Sequence, residues 1–89
     1  MKIEVFYKPL FVRQFDALPP ALQEEILDAI ELFKNPTNHR KLRVHKLKGR
    51  MASTMSFSVN YRYRIVFEYA DKTRREARLL VVGDHDVYR

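Results

Sequence analysis

The chain has 89 residues, no cysteine, and a formal charge of +6 from 17 Lys and Arg against 11 Asp and Glu. That length is read as one domain, 1–89, with one hydrophobic core and no space for a deep pocket around a large cofactor. The lack of cysteine excludes disulfides, thiolate metal sites and thiol nucleophiles. No apolar run approaches the ~20 residues of a membrane span, and no signal-peptide pattern opens the chain, so the expectation is a soluble, cytoplasmic protein without membrane contact.

In chain order, residues 2–7 are short and rich in β-formers and predict a strand. Pro9 suits a helix first turn, where its missing N–H costs nothing. Leu10, Phe11, Phe15 and Leu18 then fall at helical spacing. Pro19–Pro20 ends that segment and starts the next. Leu22, Ile26, Ala29, Ile30 and Phe33 form one apolar stripe that Glu24, Glu25, Asp28 and Glu31 avoid. Asn35–Pro36 stops this second helix. The pair reads as a helical hairpin whose phenylalanines are core.

The remainder reads as sheet. Residues 42–47 alternate as a strand, and Gly49 marks a turn. From Met55 to Tyr69 every odd position is apolar or aromatic. One strand of that length would span about 50 Å, too long for this domain, so a turn is expected at Asn60–Tyr61–Arg62. Arg62 and Arg64 would then share a side with Ser56 and Ser58 if the alternation survives the turn. A second turn falls at Asp71–Lys72, and a last strand covers roughly 75–82, ending at Gly83. The order β-α-α-β-β-β predicts an α+β domain, its N-terminal helical hairpin packed on one face of a mostly antiparallel sheet.

Charge is segregated. Residues 1–39 carry four bases and six acids, whereas residues 40–89 carry thirteen bases and five acids. Arg40, Lys41, Arg43, Lys46, Lys48 and Arg50 crowd into eleven residues without an acid, and Arg62 and Arg64 add to them. This predicts an anionic partner, with nucleic acid first and an acidic protein second. A solvated basic edge is the bland alternative, and it does not account for the separation of sign. Cationic neighbours favour a neutral imidazole at His45, suited to a base. Flanking Asp84 and Asp86 favour a protonated one at His85, suited to an acid. Such a pair beside arginines suits RNA cleavage by the ribose 2′-hydroxyl, with no metal or cofactor. The spacing of His39, His45 and His85 supports no metal site.

The β-α-α-β-β-β order resembles the RelE/ParE toxins of type II toxin–antitoxin modules. So do His45–Lys46–Leu47–Lys48–Gly49, Tyr63–Arg64–Ile65–Val66–Phe67 and the terminal Gly83–Asp84–His85–Asp86–Val87–Tyr88. The resemblance implies a toxin that enters the ribosome and cuts translated mRNA, silenced by an acidic antitoxin that wraps it. For such a toxin it implies a hetero-oligomeric complex with that antitoxin. It makes His45 the counterpart of a YafQ-type histidine and Arg64 that of the RelE arginine at the scissile phosphate. His85 matches a position held by histidine in YafQ-like and HigB-like toxins. Tyr88 matches a C-terminal aromatic that stacks on a codon base or serves in catalysis. Arg43, Lys46, Lys48, Arg50 and Arg62 would dock RNA. The chain departs from the pattern at Ser56–Ser58, where RelE carries paired lysines and YafQ a second histidine. Arg62 stands where YafQ has an acid, and His85 and Tyr88 are one residue closer together than in YafQ-like toxins. A ParE-like toxin that inhibits DNA gyrase, or a relative that only binds antitoxin, would share the same fold.

Overall fold

The computed structural model describes residues 1–48 and 54–84. Gly49 and Arg50 of the basic run, and the terminal His85, Asp86 and Tyr88, lie outside the described residues.

Strand β1, Glu4–Tyr7, leads into helix α1, Pro9–Asp16, and helix α2, Pro20–Phe33. Each helix begins on a proline, whose fixed φ suits the first turn. The Gln23 side-chain amide donates to the Phe15 carbonyl at 2.9 Å, closing the hairpin. Four strands follow: β2, His45–Lys46; β3, Met55–Ser58; β4, Tyr63–Tyr69; β5, Glu76–Asp84. The 55–69 run is thus two strands joined by a turn over residues 59–62, where its length required one. The sheet order is β1-β5-β4-β3-β2, with β1 parallel to β5 and every other pair antiparallel.

Two expected strands differ in extent. Residues 42–47 do not form one strand; only His45 and Lys46 pair with β3. The segment before them is a helical turn closed by two hydrogen bonds, Val44 N–H to the His39 carbonyl and Arg43 N–H to the Arg40 carbonyl. Arg43 sits at φ 58°, the left-handed residue such a closure needs and glycine usually supplies. At the other end, β5 continues through Gly83 to Asp84 because β4 offers partners that far: Gly83 opposite Arg64 and Asp84 opposite Tyr63.

The helices cover one sheet face. Phe11, Ile26, Ala29, Ile30 and Phe33 pack with Phe57, Ile65, Phe67, Ala77, Leu79 and Val82. Phe33 is fully buried, stacked on Phe57 with centroids 4.5 Å apart and edge-on to Phe67 at 4.7 Å. Leu79 and Val82 both reach this core although they are three residues apart. The register shifts between Val66 and Phe67, where Val66 faces Val81 but Phe67 faces Leu79; the extra residue on β5 restores the inward direction. Past the end of β1, the Val82 amide on β5 finds the Gln14 side-chain oxygen at 2.9 Å instead of a strand partner.

Candidate active site

The register fixes which side chains share the face turned from the helices. Cross-strand partners point the same way, and so do residues two apart on one strand. His45 pairs with Ser56, Ser56 with Val66, and Val66 with Val81. Ser58 pairs with Arg64, and Arg64 with Gly83. His45 and Arg64 therefore lie on one face. With strands ~4.8 Å apart and ~3.4 Å per residue, their Cα atoms are about 12 Å apart.

The centre of that face is closed. Ser56 and Val66 have no exposed surface, so Ser56 touches no dissolved substrate. Ser58 is half-buried and lines a surface groove of ≈ 370 Å³ with Leu32, Lys41, Arg43, Tyr61 and Arg64. The groove is the place on the described surface where the basic run and the β3–β4 turn meet.

Arg64 is half-buried at the groove. Its Nη1 donates to the carbonyls of Asn60 and Tyr63, anchoring one side of the guanidinium on the turn. Among the described residues nothing engages Nε or Nη2, which leaves donors for a phosphate. His45 is exposed, and its Nδ1 lies 2.8 Å from the Arg43 carbonyl. A carbonyl only accepts, so Nδ1 carries the hydrogen and Nε2 of a neutral ring presents its lone pair. The left-handed turn at Arg43 thus also orients the candidate base.

Arg43, Lys46, Lys48 and Arg62 are exposed, as are Arg40 and Lys41. The ion pairs among the described residues are Lys34–Glu31 and Arg78–Glu68, so none of these six cations is neutralised by one. Arg62 does not stand on a strand beside Arg64. It lies in the turn, its guanidinium 5.6 Å from the centre of the Tyr63 ring. The alternation breaks there because Asn60 folds the chain, its Oδ1 accepting from the amides of Arg62 and Tyr63. His39 packs against the core instead: its Nε2 is 2.7 Å from the Phe33 carbonyl and its ring stacks on Phe33. Among the described residues no cluster of histidines and carboxylates is placed to hold a metal, and no helix is long and apolar enough to cross a membrane.

Lys41, Ser58 and Tyr61 join the groove without having been singled out as site residues. Tyr61 was legible in principle, because a turn at 60–62 removes it from the core stripe its odd number suggests.

The fold is that of the RelE-like toxins. Its backbone superposes on the RelBE toxin–antitoxin complex of Mycobacterium tuberculosis with a TM-score of 0.76 at 18% identity, covering 96% of this chain and 93% of that one. The RelE–RelB complex of Pyrococcus horikoshii gives 0.70 at 20% identity, covering 94% and 96%. The DinJ–YafQ toxin–antitoxin complex of Escherichia coli gives 0.72 at 13% identity, covering 98% and 97%. No family model and no curated protein sequence matches the chain.

Proposed function

We propose that the chain is the toxin of a type II toxin–antitoxin module, a metal-independent, ribosome-dependent endonuclease that cuts mRNA and arrests translation. The observation that carries this reading is the RelE/YafQ-like fold bearing His45 and Arg64 on one sheet face, beside a groove to which Lys41, Arg43 and Arg64 bring cations that form no ion pair among the described residues. His45 Nε2 takes the proton of a ribose 2′-hydroxyl. The freed oxygen attacks the adjacent phosphorus while Arg64 stabilises the charge that accumulates on the phosphoryl oxygens. The bond from phosphorus to the 5′-oxygen breaks, and His85 protonates the departing oxygen. The products are a 2′,3′-cyclic phosphate and a 5′-hydroxyl end. Tyr88 stacks on a codon base or assists as acid. Arg43, Lys46, Lys48, Arg50 and Arg62 hold messenger and ribosomal RNA. At rest, an acidic antitoxin neutralises the same surface in a hetero-oligomeric complex, in the cytoplasm.

The test is to add the chain to a translating extract and map mRNA 5′ ends. New ends at ribosome-occupied codons, lost in a His85→Ala, Tyr88→Ala double variant, are expected. Arrest with intact mRNA, or inhibition of DNA gyrase in place of translation, overturns the nuclease.

A further inference from the structure

The β3–β4 turn presents one aromatic ring to solvent beside the cationic groove. Tyr61, at the turn, is 91% exposed. The other exposed large apolar side chains among the described residues, Met1, Phe6, Tyr7, Leu10, Val12 and Leu27, all belong to the first 27 residues. Among the described residues, Tyr61 is thus the exposed aromatic of the basic half. Its backbone is held firmly. Asn60 Oδ1 accepts from the Arg62 and Tyr63 amides at 2.9 and 2.8 Å, and the Val59 amide donates to the Tyr63 carbonyl at 2.9 Å. Arg64 Nη1 bonds the carbonyls of Asn60 and Tyr63, and Asn60 Nδ2 reaches Glu25 of α2 at 3.4 Å. The arginine that faces the groove therefore also fixes the loop that carries the ring.

We infer that Tyr61 is a nucleobase-stacking platform, forming with Lys41, Arg43 and Arg64 a subsite for one nucleotide of single-stranded RNA. This rests on the proposed RNA-directed function and adds a contact outside the catalytic set. The cations take the phosphodiester, and the ring takes the face of the base. That combination recognises unpaired RNA, because the bases of a duplex are stacked on one another and offer no free face. The contact tolerates any base, since each has a π-face. It needs an aromatic ring but not the tyrosine hydroxyl.

The test uses the purified chain and a short single-stranded RNA carrying 2-aminopurine, whose emission is quenched by stacking. Tyr61→Ala weakens binding roughly 10-fold and removes the protein-dependent quenching, whereas Tyr61→Phe stays within about twofold of the parent. The slope of affinity against salt is unchanged in Tyr61→Ala, because no charge is removed. Equal affinity and quenching in Tyr61→Ala overturns the subsite, as does failure of the parent chain to bind the RNA. If poly-glutamate competes as well as RNA and loses the same affinity in Tyr61→Ala, the surface is an acidic-protein site and the subsite is overturned. The two readings fail separately. Ring-dependent quenching without mRNA cleavage in the extract keeps the subsite and removes the nuclease. Cleavage with unchanged quenching in Tyr61→Ala does the reverse.

Discussion

The helical half and the sheet half of this chain share one aromatic core but use their charged residues in opposite ways. In the helical half, Phe11 and Phe33 are buried, and the acids stand off the apolar stripe. Its surface depression, ≈ 270 Å³ between Tyr7, Phe11, Val12, Phe15, Asp16 and Leu27, is mainly apolar. In the sheet half, Tyr61 faces water, and Lys41, Arg43 and Arg64 bring charge to a groove whose floor includes the apolar Leu32, Leu42 and Val59. Burial holds both regions together, and among the described residues only the second gathers cations around a groove. A substitution in one should move stability, and in the other, function.

Phe33→Ala should do the most damage and bring down both halves together, because both lean on that ring. Losing its contacts with Phe57, Phe67 and His39 should cost about 3–5 kcal/mol, read as a lower urea midpoint, with RNA binding lost as the fold is lost. Arg64→Ala should instead separate the two halves. Cleavage should fall about 100-fold in the mapped-mRNA assay. Stability should fall by only about 1 kcal/mol, the worth of the turn hydrogen bonds.

Arg43→Gly should move the two properties in opposite directions. Glycine relieves the left-handed backbone, so stability should rise by about 1 kcal/mol in denaturant titration. One cation is lost, so the slope of log affinity against log salt should fall by about 0.7 for single-stranded RNA. Lys34→Ala, on the helical side and paired with Glu31, should leave that slope alone.

Asp71→Asn should have the smallest effect. The Thr73 hydroxyl, and then the Glu76 and Arg75 amides, hold the Asp71 carboxyl below its ordinary range. The folded value lies below the unfolded one, so this contribution is complete above the ordinary carboxylate range and is lost as pH falls through the folded value. The variant should lower the thermal midpoint slightly near neutral pH and flatten its decline in acid, with RNA binding intact.

The fold was largely legible in the sequence because its signals are periodic. The α2 stripe, the two helix-starting prolines and the turn forced by the 55–69 run each follow from local geometry. The 42–47 segment misled because an arginine occupies a left-handed turn position where glycine would have announced the end of a helical turn. The run through Leu79–Val82 hides a register shift, since alternation carries no mark of an extra residue. The site was legible as residue types but not as an arrangement. His45 and Arg64 share a face only through the pairings of β2, β3 and β4, and the burial of Ser56 depends on what covers that face. Tyr61 was placed in the expected turn, but a turn position carries no mark of whether its ring faces water or packs back on the sheet.

In the proposed toxin the cationic sheet half cuts messenger RNA, and the helical half holds the sheet in place. The most direct measurement is 5′-end mapping of mRNA in a translating extract given the parent chain or Arg64→Ala, each first shown folded by its urea midpoint. The parent chain should give new 5′-hydroxyl ends at ribosome-occupied codons, and the variant nearly none. Arrested translation on intact mRNA, or equal cleavage by both chains, would contradict it.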